Sequence, residues 1–165
     1  MAKYNYKNCQ SLFGYSADIH IRCKGQCQLC GCGGVPLDFD LWRQMTVEHL
    51  IGKSQGGYLV QLSALAGKYF SDLPISEQDS LAKEIDTINT VTACQFCNST
   101  TSRDISSISM YELFDNFHLD KEALFDEIRK ACASILEKKQ QSVKWKLEAV
   151  REAFESQVVD KLLDN

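Results

Sequence analysis

Two Cys-x-x-Cys pairs are the residues of this chain whose types and spacing are most typical of metal binding. The first pair is Cys27 with Cys30, and the second is Cys94 with Cys97. Each short loop can place two sulfur atoms on one ion, and four thiolates at about 2.3 Å suit a tetrahedral Zn²⁺. Cys32 is an alternative to Cys30, although Cys-x-x-Cys is the more favourable spacing. A site of four thiolates is closed, so the sequence predicts a structural zinc and leaves the reactive chemistry to other residues.

The dipeptide Glu48-His49 lies between the two cysteine pairs, and two asparagines flank the second pair. Asn89 stands five residues before that pair and Asn98 directly follows it. In this order the motifs resemble those of the zinc-stapled branch of the HNH endonuclease family, over roughly residues 10–105. The resemblance implies a ββα fold around one divalent metal ion and hydrolysis of phosphodiester bonds. The third family position is Asn98, which makes this an H-N-N variant.

The resemblance also implies a role for each motif residue. His49 is the general base, because an imidazole titrates near neutral pH and can take a proton from water. Glu48 supplies a hard oxygen ligand for a catalytic Mg²⁺ or Mn²⁺ ion, and Asn98 supplies an amide oxygen as the second ligand. Asn89 corresponds to the middle asparagine of the family and is predicted to orient the imidazole through a hydrogen bond.

Charge neither strongly supports nor excludes a nucleic-acid substrate. The whole chain has a net charge of −4, whereas most nucleic-acid binders are basic. Residues 1–57 and 94–105 together carry seven basic and five acidic side chains, and residues 112–165 carry nine basic and twelve acidic ones. The acidity therefore lies mostly outside the motifs. DNA is the expected substrate, RNA is not excluded, and Lys53 and Arg103 are the candidate phosphate contacts.

The elements that must position these groups can be read from the apolar pattern. A helix is expected over residues 11–24, ended by Gly25, and a strand from Met45 to Leu50 carries Glu48 and His49. Residues 58–88 lengthen the distance between the motifs, so we interpret them as an insertion of two short helices separated by Pro74.

The C-terminal region from Asp120 onward is predicted to be helical, with Asp120 as its N-cap. It carries two apolar stripes, and one long helix or two helices hinged near Ser142 are both compatible with the pattern. Because the motif-bearing part is small for covering both stripes, we expect the region to form an assembly element through self-association or a partner protein.

These observations predict an α+β fold with a ββα-metal HNH core, a zinc site of four cysteines, a helical insertion and a helical C-terminal extension. The expected boundaries are 1–110 for the nuclease domain, about 58–88 for the insertion within it, and 111–165 for the extension. The start of the chain is unlike a signal peptide and no run reaches membrane-spanning length, so a cytoplasmic protein is expected.

The leading interpretation is a metal-dependent HNH endonuclease acting on DNA, in restriction, phage defence or mobile-element biology. One alternative is a non-catalytic zinc-stapled protein that binds nucleic acid or serves as an adaptor. Another is the nuclease subunit of a larger complex.

Overall fold

The computed structural model describes residues 15–101 and 107–163, which form a mixture of helices and one small antiparallel sheet. The elements in chain order are α1 (Tyr15–Arg22), α2 (Phe39–Trp42), β1 (Met45–His49), a 3₁₀ turn (Lys53–Gln55), α3 (Leu59–Tyr69), α4 (Ile75–Asn89), β2 (Thr90–Cys94), α5 (Gln95–Thr100), α6 (Met110–Phe117), α7 (Lys121–Phe154), a π-helical turn (Glu155–Val159) and α8 (Asp160–Leu163).

The sheet pairs two strands that lie far apart in the sequence. In the antiparallel pairing of β1 with β2, Met45 lies opposite Cys94 and His49 lies opposite Thr90. Helix α5 follows β2 directly. The register therefore places the cysteine-bearing end of β2 at one end of the sheet and Glu48-His49 at the other, about 13 Å away.

Helices α3 and α4 form a helical pair inserted between the two strands. Their facing sides bury Leu62, Leu65, Leu81 and Ile85 in the larger of two apolar cores. Pro74 is the residue before α4, where its fixed φ and missing N–H are tolerated. The prediction of two helices separated by Pro74 is confirmed.

Helix α7 is continuous for 34 residues, so the alternative of a hinge at Ser142 is wrong. The predicted cap is confirmed, since the Asp120 carboxylate accepts a hydrogen bond of 3.0 Å from the amide of Ala123. The first stripe of α7 packs into the larger core, where Ile128 and Ile135 are fully buried. The expectation that both stripes need a partner is therefore wrong for the first one, because α4 and α6 already cover it.

A smaller core lies under the cysteines, where Val143 of α7 packs with Leu29, Met45 and Ala93. Helix α7 thus touches both cores and joins them. Among the described residues, no helix combines the length and apolar character needed to cross a membrane.

Candidate metal centres and catalytic pocket

Four thiols converge at one end of the sheet. The sulfur atoms of Cys27, Cys30, Cys32 and Cys94 all lie within 4.8 Å of one another. The sulfurs of Cys30 and Cys94 are 3.9 Å apart. Tetrahedral coordination with bonds of about 2.3 Å separates sulfurs by about 3.8 Å. The donor set and its spacing therefore fit a structural zinc ion.

The remaining cysteine of the two motifs, Cys97, is not among these four. It is fully buried on α5. Burial, reinforced by the negative charge of Cys27, raises the pKa of Cys97. Cys32 is thus one of the four close thiols, together with Cys30. The assignment of Cys97 as the fourth zinc ligand stays a prediction.

The loop that carries the first cysteines is shaped by glycines at positive φ. The amide of Gly31 bonds the carbonyl of Cys27 at 2.9 Å, and Gly31 and Gly33 have φ values of 80° and 79°. A Cβ at Gly33 would lie 2.6 Å from Met45 Cε and 2.8 Å from the carbonyl oxygen of Gly25. Only glycine fits this close approach, which brings the thiols of the loop to β2.

A pocket of about 680 Å³ opens near the other end of the sheet. It brings together Glu48, His49, Lys53 and Asn98, four of the predicted site residues, and Tyr58 also lines it. Lys53 is exposed there, as a phosphate-contacting side chain should be. Arg103, the other predicted phosphate contact, lies outside the described residues.

The imidazole of His49 is held in a largely buried position. Burial lowers the pKa of His49 to about 4, which keeps the ring neutral and able to accept a proton at physiological pH. The ring stacks on Tyr58 with centroids 4.1 Å apart. Its Nε2 lies 3.7 Å from a carboxylate oxygen of Asp86 on α4, and this carboxylate favours the protonated ring. The surroundings thus suit an imidazole that is neutral before it accepts a proton and is stabilised by Asp86 once it is protonated.

Asn89 holds the loop after β1, and this corrects the predicted hydrogen bond to the imidazole. Its Oδ1 accepts from the amide of Ile51 at 2.7 Å. Its Nδ2 donates to the carbonyls of Ile51 and Gly57, both at 2.9 Å. A Cβ at Gly57 would overlap the carbonyl oxygen of Ile51 and lie 2.9 Å from Asn89 Nδ2. Asn89 therefore fixes the chain that follows His49, while Asp86 and Tyr58 contact the ring itself.

Asn98 is oriented by the strand beside it. Its Nδ2 donates to the hydroxyl of Thr46 at 2.8 Å and to the carbonyl of Val47 at 3.3 Å. Because the amide nitrogen is bonded to β1, the amide oxygen is the atom left for the pocket. This is the atom that a hard divalent cation would use.

The carboxylate of Glu48 is paired with a lysine of the C-terminal helix. The Nζ of Lys139 lies 2.6 Å from Glu48 Oε1, and the Lys139 and Glu48 side chains are 1% and 8% exposed. The C-terminal region, predicted as an assembly element, therefore also contributes to the pocket's surroundings, because α7 brings a buried cation to the proposed metal ligand. Removing one member of such a pair leaves a buried charge without compensation.

Sequence reasoning missed Lys139, Asp86 and Tyr58. The sequence pattern around Lys139 and Asp86 could have indicated that they are buried. Lys139 stands on the apolar stripe of α7, four residues after Ile135. Asp86 lies on the buried face of α4, beside Ile85. A charged residue within an apolar stripe is rarely buried unless it is paired, so both positions indicate a specific partner.

Comparison of the chain with models of known protein families, with curated proteins and with solved structures finds no match.

Proposed function

We propose that the protein is a metal-dependent endonuclease of the HNH type that hydrolyses phosphodiester bonds in DNA. The observation that carries the proposal is the common pocket of Glu48, His49 and Asn98. These groups are a candidate base and two candidate oxygen ligands. Glu48 and His49 lie on β1, and Asn98 lies on α5, the helix that directly follows β2. The cysteine cluster supports this arrangement, because it ties the loop before β1 to the end of β2.

In the proposed reaction the neutral imidazole of His49 takes a proton from the attacking water. The carboxylate of Asp86 stabilises the imidazolium that forms, and the stacked Tyr58 keeps the ring in place. Glu48 and Asn98 would hold a Mg²⁺ or Mn²⁺ ion, which supplies positive charge beside the scissile phosphate when bound. Lys53, exposed at the rim of the pocket, contacts a phosphate of the substrate.

Lys139 gives this site an unusual feature. Its ammonium neutralises Glu48 when no ion is present, so binding a divalent cation requires Glu48 to exchange one cation for another. The affinity for the ion is thereby reduced, since the ammonium repels it. Substrate phosphates, by adding negative charge, would favour the exchange.

The same ion pair favours a second candidate function. If Glu48 never leaves Lys139, the pocket has no carboxylate for a catalytic ion. The protein would then be a zinc-stapled module that binds nucleic acid or serves as an adaptor. Binding of DNA without cleavage under all metal conditions would support this candidate. The cytoplasmic setting and a role in restriction or phage defence stay predictions.

The test is cleavage of plasmid DNA by purified protein with Mg²⁺, with Mn²⁺ and with a chelator. We expect cleavage that requires the divalent ion, and a loss of about two to four orders of magnitude in rate for His49→Ala. His118→Ala is the matched control, because this histidine is also partly buried but lies at the end of α6. Equal cleavage by wild type and His49→Ala would contradict the proposal.

A further inference from the structure

Beyond Leu147, which still packs against the smaller core, the end of the C-terminal helix is largely exposed. Residues 144–163, here called the outer segment, comprise the last part of α7, the π-helical turn and α8. At 1.5 Å per residue these twenty residues extend about 30 Å. Val150 and Phe154 are 50% and 52% exposed, and Leu162 is 72% exposed. An apolar stripe of this length on a protruding helix marks an interaction site.

The stripe of the outer segment continues the buried face of α7, four residues beyond Val143. Leu147, Val150, Phe154, Val158 and Leu162 follow one another at spacings of three or four. In a regular α-helix each step of four residues turns the side chain by about 40°, so three such steps would carry it off the stripe. The π-helical turn at Glu155–Val159 holds more residues per turn. The wider turn offsets part of this rotation and so favours a continuous line through Phe154, Val158 and Leu162.

The charges of the outer segment divide into two blocks of opposite sign. Residues 144–151 have a net charge of +2, with Lys144, Lys146 and Arg151 against Glu148. Residues 152–163 have a net charge of −2, and their charged side chains are Glu152, Glu155, Asp160 and Lys161. Two such segments repel each other in parallel and attract each other in antiparallel orientation.

We propose that the outer segment pairs, in antiparallel orientation, with the outer segment of a second copy of this chain. If Val150 lies opposite Phe154 of the second copy, Lys144 lies opposite Asp160 of the second copy. The apolar stripes then face each other along the whole segment. The basic block of each copy lies against the acidic block of the other.

A groove at the base of the outer segment provides room for the far end of the second helix. It has a volume of about 500 Å³, and its walls include Leu29, Val143, Lys144, Leu147 and Arg151. In the antiparallel pairing the acidic end of the second copy arrives at this groove. Its apolar side chains then meet Leu147, and its carboxylates meet Lys144 and Arg151. The groove and the charge blocks therefore favour the same occupant.

The pairing should depend on concentration. Twenty residues are fewer than three heptads, so the contact is short for a helical pair. Mass action then predicts dissociation on dilution.

The first test is size-exclusion chromatography with light scattering on the full chain, at loading concentrations up to about 100 μM. We expect a mass approaching twice 18.6 kDa for wild type and a mass of 18.6 kDa for Phe154→Glu. Trp145→Glu is the matched control, because Trp145 is 74% exposed but lies away from the stripe. It should associate like wild type.

A wild type that stays monomeric at every concentration would overturn the proposal and leave the stripe to a different protein. Association that survives Phe154→Glu would also overturn it, because the contact would then lie elsewhere. Both readouts are masses, so they do not depend on the proposed nuclease activity.

The second test addresses the orientation by charge reversal. Lys144→Glu and Asp160→Lys should each weaken association, since each places like charges opposite one another in the antiparallel pair. The double variant should associate as wild type does. Failure of the double variant to recover would overturn the antiparallel arrangement.

Discussion

The two parts of the long C-terminal helix have the same kind of apolar spacing and opposite surroundings. Residues 121–143 bury their stripe against α4 and α6, and Val143 is fully buried beneath the cysteine cluster. Residues 150–163 expose theirs, as the 50% exposure of Val150 shows, and Leu147 at the junction still packs against the smaller core. The inner part also carries Lys139 to the candidate site. The first part of this helix thus packs into the core and contacts the candidate site, and its second part is exposed.

The difference shows what an apolar stripe in a sequence indicates. Its period predicts a helix and the face that will be covered, because both follow from local geometry. It does not identify what covers that face. The inner stripe is covered within the chain, and we propose that a second copy covers the outer one.

The largest effect should come from disrupting the cysteine cluster, against which the end of the buried part of α7, residues 121–143, packs. Cys94→Ser deletes a thiol of the cluster beneath which Val143 is buried, and a structural zinc stabilises its fold directly. We expect largely unfolded or aggregated protein by circular dichroism. Cys23→Ser is the control, since Cys23 lies outside the group of close thiols. Elemental analysis that finds no zinc in folded wild-type protein would contradict this prediction.

The next effect concerns the buried lysine of the inner part. Lys139→Met leaves the Glu48 carboxylate buried without its ion pair, which should lower the free energy of unfolding by about 3–5 kcal/mol. Lys144→Met, which changes an exposed lysine of the outer segment, should alter it by less than about 0.5 kcal/mol at concentrations where the protein is monomeric. Denaturant unfolding of both variants beside wild type measures the difference.

Lys139→Met also tests whether Glu48 binds a divalent ion. Mn²⁺ should raise the melting temperature of Lys139→Met more than that of wild type, because no ammonium competes for Glu48. Glu48→Gln combined with Lys139→Met should recover stability without Mn²⁺ and respond little to it. Equal Mn²⁺ responses of wild type and Lys139→Met would show that Glu48 is not the ligand.

The smallest effect compares one residue type in the two parts. Val143→Ala removes two buried methyl groups and should cost about 2 kcal/mol of unfolding free energy. Val150→Ala should cost less than about 0.5 kcal/mol when the protein is dilute. Denaturant unfolding measured at low concentration checks both. A similar cost for the two variants would mean that the outer stripe is covered within a single chain.

For the candidate site as well, the features that depend on nearby residues were predicted and those that depend on distant contacts were not. Glu48, His49 and Asn98 were predicted from short motifs, and the structure places them on one pocket. The helices on either side of Pro74 and the Asp120 cap were predicted from local patterns. The predicted hydrogen bond from Asn89 to the imidazole is wrong, because the position of Asn89 in the sequence did not indicate that its amide would bond Ile51 and Gly57.

The sequence by itself determined the ligand types, the helical segments, their caps and the two apolar stripes. Each of these depends on residues within a few positions of one another, where backbone geometry fixes the neighbours. The tertiary structure alone decided that Lys139 pairs with Glu48, 91 positions away, and that Asp86 lies beside His49. It also decided which stripe the chain covers for itself. Such contacts depend on the path of the whole chain, because a side chain's burial and partner are set by the elements packed against it.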